Sequence, residues 1–253
     1  MPGFLRHTPI FFHGLKRSGN HVVLNWIKSG GQFRFFNNVL PLGRLATRPG
    51  GINAVQPRWL PFYIGRKTML ISVEDMPADR ALFRHVPSGS KTVVLVRDPT
   101  NLFASRIRKG FRVSHVAYPR EMNEVMQRAV RLWKEHARLC LENLEPTAET
   151  LGILFDQWLV DSGYRSEIAS WLNINPSDKA LETPAREGGG SSFQDSHAGS
   201  ECALEALRSQ VLNRHADLNQ QEHDLLNTVL DDREVSILRD QLLQTFSSRN
   251  TAG

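Results

Sequence analysis

Gly14 and Gly19 are separated by four residues, Leu15-Lys16-Arg17-Ser18, and succeeded by Asn20 and His21. Two glycines at that spacing let a backbone curl its N–H groups around an anion, and a helix starting just beyond adds its own unpaired N–H groups and positive dipole end. The two residues after the second glycine decide the chemistry. A kinase or nucleoside-triphosphate hydrolase needs Lys there to reach the terminal phosphates and Ser or Thr to hold magnesium. Here Asn20 and His21 stand in those places, and the positive charge lies inside the loop at Lys16 and Arg17. The segment reads as an anion cradle that works without metal.

A second constellation lies at Arg97-Asp98-Pro99, with Ser105 further on. Asp98 is suited to cap a helix and Pro99 to occupy its first position. Ser105 lies seven residues beyond Asp98, nearly two helical turns, which returns it to the face of the cap. Arg97 and Ser105 could therefore meet one phosphate. The plainer reading pairs Arg97 with a carboxylate and leaves Ser105 on a helix surface.

These residues need elements to carry them. Thr8–Gly14 is a short apolar run ending at a glycine, as expected of a buried parallel strand entering a turn, and Val22, Val23, Trp26 and Ile27 then recur at helical spacing. Further strands are expected at Thr68–Val73, Lys91–Val96 and Gly152–Phe155, with helices from Asp98, over 121–144, around Arg165–Leu172, and twice more within 200–248. Strands alternating with helices predict an α/β fold: a three-layer, P-loop-like arrangement with a central, mostly parallel sheet flanked by helices. All 253 residues read as one domain. Residues 29–66, rich in Gly, Pro, Asn and Arg and weakly periodic, read as an acceptor-side excursion.

Composition narrows the classes. Residues 1–120 hold 19 Lys+Arg against 4 Asp+Glu, and residues 121–253 hold 12 against 22, so +15 and −10 give the overall +5. The basic half is expected to face a small polyanion or nucleic acid, or else simply solvent. No run reaches the roughly 18 apolar residues of a membrane span. The N-terminus lacks the features of a signal peptide, so a cytoplasmic location is the expectation. Cys140 and Cys202 match no metal spacing and read as reduced thiols. No metal site is expected.

Taken together, the two constellations resemble the nucleotide-dependent sulfotransferases. In that family a loop such as PKSGTT or PRSGTT grips a 5'-phosphosulfate, and Lys16-Arg17-Ser18-Gly19-Asn20-His21 occupies that stretch, with Arg17 at the basic position before Ser-Gly. A later motif, Arg followed by Asp or Asn, Pro and then Ser, binds the 3'-phosphate and matches Arg97, Asp98, Pro99 and Ser105. Arg186 and Gly188, with Phe193 closing the segment, are similar to the family's RKGxxGDW loop, although Glu187 replaces its lysine. Asn20, His21 and Val22 depart from the family's Thr-Thr-Trp. Leu154-Phe-Asp-Gln-Trp158 is similar to its YEDL segment.

The resemblance implies transfer of a sulfuryl group from 3'-phosphoadenosine 5'-phosphosulfate, without metal, to a hydroxyl acceptor such as a glycan or other small molecule, and implies no nucleic-acid partner. Lys16 and Arg17 would neutralise the leaving oxygen. The family's base often comes just after the second strand, here Thr68–Val73, where this chain has Glu74 and Asp75; either carboxylate could be that base, or could cap a turn or pair with an arginine. Among the histidines, His13 is expected to pack within the sheet, His21 to contact phosphate or cap the helix, and His115 to rank below the carboxylates as a base. Two rivals stay open: a P-loop small-molecule kinase, and a non-catalytic binder of polyanions.

Overall fold

In the computed structural model, which describes residues 8–39, 67–79, 88–108, 124–181 and 212–250, the apolar runs become five strands of one sheet. They are Ile10–Gly14 (β1), Phe33–Phe36 (β2), Thr68–Glu74 (β3), Lys91–Val96 (β4) and Thr150–Leu154 (β5). Their order is β2-β3-β1-β4-β5, and every neighbouring pair is parallel. Central β1 is buried along its whole length. That is why Ile-Phe-Phe-His-Gly reads as a continuous apolar run: a parallel strand has helices on both faces and no polar side to alternate with.

Helices cover both faces: Asn20–Ser29 (α1), Pro99–Arg108 (α2), Glu124–Glu142 (α3), Phe155–Val160 (α4), Ser162–Leu172 (α5), Gln220–Leu230 (α6) and Arg233–Asn250 (α7). The period of two along β4 divides the core. Val93 and Leu95 face Val23, Trp26, Trp158 and Ile168, whereas Val94 and Val96 face Phe103, Trp133, Val229 and Leu238. Side chains of this size contribute about 1.5–3 kcal/mol each when fully buried. The result is the three-layer α/β architecture expected from the alternation of strands and helices.

Three details differ from the expectations. The excursion expected from residue 29 begins with β2, an edge strand whose Phe33-Arg34-Phe35-Phe36 is only half buried and so shows no clean alternation. Its backbone pairing with β3, from Phe33 opposite Thr68 to Phe36 opposite Ile71, makes it a strand. Helix α4 begins at Phe155 with no intervening loop, so the short apolar run there is split between strand and helix. The helix expected over 121–144 is described as 124–142.

The C-terminal helices pack where they matter for the site. α6 lies against α2, and α7 against α3. Asn219 starts α6 with a capping box, accepting the Glu222 N–H at 3.0 Å while its own N–H donates to the Glu222 carboxylate at 2.9 Å. No helix among the described residues is long and apolar enough to cross a membrane.

Candidate functional site

Parallel strands deliver their C-terminal ends to one edge, and β3 and β4 lie on opposite sides of β1, the switch point where open α/β sheets bind ligands. Gly14 is level with Glu74 of β3 on one side and Leu95 of β4 on the other. The basic loop, the two carboxylates and Arg97 therefore emerge together.

The loop closes tightly. Ser18 N–H donates to the Leu15 carbonyl at 3.1 Å, and the N–H groups of Val22 and Val23 donate back to the Gly19 carbonyl. Gly19 has φ +90°, and a Cβ there would lie 2.2 Å from the Phe155 ring, so only glycine fits. Asn20, where a kinase carries lysine, ties the loop to its neighbour strand: its amide donates to the Leu15 carbonyl at 3.0 Å and to Glu74 Oε1 at 2.9 Å. His21 Nε2 stands 3.7 Å from the same Glu74 oxygen. The buried Ser18 hydroxyl has no hydrogen-bond partner among the described residues, as befits a group poised for a ligand.

Arginines gather around Ser105. Its hydroxyl, 3% exposed, accepts from Arg17 Nε at 3.1 Å and from an Arg214 guanidinium nitrogen at 3.0 Å. Arg97, equally buried, donates to the Arg17 carbonyl at 3.0 Å, and its guanidinium lies 5.3 Å from the centre of the Phe155 ring. Burial lowers the Arg97 guanidinium from its ordinary value, against the attraction of Asp156 and Asp98. Burial, then the charges of Arg97 and Arg17, bring Arg214 down to about 10. Burial and the charge of Arg106 likewise lower Arg17. Buried cations that depress one another favour an anion between them.

The two carboxylates at the end of β3 are held differently. Asp75 receives a two-pronged pair from Arg106, at 2.8 and 3.0 Å, and the backbone N–H of Lys16 at 3.0 Å. Burial pushes its carboxyl up, but the Arg106 charge and hydrogen bond, with help from Lys16, outweigh that and leave it below the ordinary aspartate value. Glu74 instead accepts from the Asn20 amide and lies beside His21, facing the start of α1.

Asp98 caps α2 as its sequence position implies, accepting from Thr100 and Asn101 N–H, and its other oxygen accepts from Arg239 Nε of α7 at 3.1 Å. Asp98 N–H donates to Asp156 at 2.7 Å. His13 is buried within β1. Arg186, Gly188, His115 and residues 40–66 of the excursion lie outside the described residues. Phe155 and Asp156 reach the site from the YEDL-like segment, whereas Arg106 and Arg214 lie beside Arg17 and Ser105 although they were not among the expected site residues. Arg214 opens a short 3-10 turn, Arg214–Asp217, just ahead of the capping box at Asn219 and Glu222, which is the local sequence signal near it. Among the described residues, no group of three or more His, Cys, Asp or Glu is placed to hold a metal.

No family model and no curated protein sequence matches the chain. Solved structures do. The fold is similar to that of the mouse sulfotransferase SULT7A1, solved in complex with PAP, with a TM-score of 0.55 at 13% identity over 95% of this chain and 90% of that one. Weaker likenesses are to the sulfotransferase domain of the Synechococcus PCC 7002 olefin synthase (TM-score 0.49, 16% identity, 90% of this chain and 97% of that one) and to that of the curacin biosynthetic pathway (0.47, 12%, 88% and 97%). The chain therefore has a sulfotransferase-like fold.

Proposed function

We propose that the chain is a sulfotransferase that moves the sulfuryl group of 3'-phosphoadenosine 5'-phosphosulfate to a hydroxyl acceptor by in-line displacement. A fold alone does not specify an activity; the observation that carries this reading is the convergence of Arg17 and Arg214 on the Ser105 hydroxyl, with Arg97 on the Arg17 carbonyl, beside the glycine loop. A nucleotide with phosphates at both ends of its ribose needs two anion sites close together. The loop, with Lys16, Arg17, buried Ser18 and the start of α1, suits the 5'-phosphosulfate, and the Ser105 cluster suits the 3'-phosphate.

Glu74 is the base in this reading. It sits at the strand end facing the loop, whereas both oxygens of Asp75 are taken up by Arg106 and Lys16. Glu74 accepts the acceptor's hydroxyl proton as the new S–O bond forms. The bond between sulfur and the bridging oxygen breaks, and its electron pair stays on the 5'-phosphate. Lys16 and Arg17 stabilise that growing charge, and one such preorganised donor is typically worth about 3 kcal/mol. His21, at the N-terminal turn of α1, contacts the same phosphosulfate. The base contributes about 10²- to 10⁴-fold.

Calorimetry tests the reading. Adenosine 3',5'-bisphosphate is expected to bind without metal and more tightly than ATP with magnesium, and Arg97→Ala to abolish that binding. A preference for ATP with magnesium would favour the kinase alternative. Binding only to long polyanions, collapsing steeply with salt, would favour the non-catalytic one. With labelled donor and a panel of hydroxyl acceptors, glycans first, Glu74→Gln is expected to keep bisphosphate affinity within about threefold and to lose turnover by at least about 100-fold.

A further inference from the structure

We propose that Asp75, acting through Arg106, is a positioning residue that locks the anion loop in its binding geometry before any ligand arrives; the functional part of this inference rests on the sulfotransferase reading above.

Every polar group of Asp75 is engaged. Its N–H donates to the Gly14 carbonyl at 3.2 Å, and its carbonyl accepts from Arg128 at 3.3 Å. Its carboxylate holds the Lys16 N–H at 3.0 Å and both arms of Arg106. It also adopts φ +54°, a left-handed conformation that costs a non-glycine residue energy and persists only where surrounding contacts overdetermine it. The next residue is fixed too, since the Met76 carbonyl lies 2.9 Å from Nε2 of the buried His136. Such a turn is built to hold something.

The held element is the peptide between Lys16 and Arg17. Arg106, fixed by Asp75, reaches past it to donate to the Lys16 carbonyl at 3.2 Å, while Arg97 fixes the Arg17 carbonyl at 3.0 Å. A trans peptide is planar, so pinning the Lys16 carbonyl toward Arg106 points the Arg17 N–H the opposite way. Arg17 is then itself left-handed, at φ +75°, and its side chain turns to Ser105. Asp75 also pairs with Arg106, so that Lys16 and Arg17 are the loop cations that meet an incoming anion. The aspartate thus acts on the nucleotide through the loop.

Charge and position predict opposite signs, which makes the idea testable. If Asp75 and Arg106 acted only as charges, Asp75→Asn would tighten binding of adenosine 3',5'-bisphosphate and Arg106→Gln would weaken it. The positioning role predicts that both weaken it, by about tenfold each, and that the double variant is no worse than either single one. Arg106→Lys, which keeps the charge but not the fork, is expected to weaken it as well. Amide exchange at Lys16, whose N–H donates to Asp75, is expected to quicken in the free protein in all three single variants. Tighter or unchanged binding in Asp75→Asn, unchanged binding in Arg106→Lys, or unaltered exchange at Lys16 would overturn the proposal. Should the wild-type protein bind no bisphosphate, the functional reading fails, and the exchange measurement still decides whether the clasp holds the loop.

Discussion

Ser105 presents one hydroxyl oxygen to two guanidinium groups, from Arg17 and Arg214, that come from opposite ends of the chain. The hydroxyl can rotate its own proton outward, so the same atom can orient both cations and donate to a phosphate lying between them. Ser105→Ala is accordingly expected to weaken adenosine 3',5'-bisphosphate binding by about tenfold or more, through loss of one charge-assisted contact and of the order imposed on two arginines, with little change in thermal stability. Calorimetry beside a melting curve checks both halves. Arg97 and Ser105 were legible because their spacing is local, a strand end and the cap face of one helix. Arg214 was not, because nothing in Asn213-Arg214-His215 is periodic and its partners, Asn101 and Ser105, lie more than a hundred residues earlier. Glu74 and Asp75 looked equivalent as neighbours in sequence. They separate only when Arg106, 31 residues further on, is folded against one of them.

At the scale of elements, the five-residue strand β1 and ten-residue helix α1 set the geometry, and the turn between them tolerates little. Gly19 meets two constraints at once, a left-handed backbone and the Phe155 ring against its Cα. Gly19→Ala is expected to cost about 2 kcal/mol or more in urea unfolding and to remove bisphosphate binding, since either the turn or the first turn of α4 must move. A change confined to binding, with unfolding unaltered, would show that the ring yields more easily than its burial implies. The strong strands β1, β3 and β4 and the capped helix α2 were readable because each carries an unbroken apolar run or a capping residue. β2 was not, since a half-buried edge strand owes its structure to hydrogen bonds with β3 rather than to its own pattern.

Across the whole molecule, buried charges give stability a two-part dependence on pH. Burial, partly offset by the Arg97 charge and the Asp98 N–H, raises Asp156 from 3.8 to about 6. Between those values the folded protein holds a proton that the unfolded chain releases, so this group makes stability fall as pH rises through that window and level off above it. The effect is at most about 3 kcal/mol. Asp75 acts with the opposite sign. Its lowered value gives stability that is present above the unfolded aspartate range and lost as pH falls through its folded value. Asp156→Asn is expected to flatten the decline between about pH 4 and 6 and to leave the acid arm in place, as read from melting temperatures across that range; an unchanged slope would assign the decline to another group. The arginine cluster has a further consequence for biosynthesis. Arg17 leaves the ribosome 88 residues before Ser105, and Ser105 leaves it 109 residues before Arg214. All five strands precede Arg214, so a growing chain can form its sheet before that arginine is made, and a ligand that needs the whole cluster would stabilise only molecules in which α6 has docked on α2.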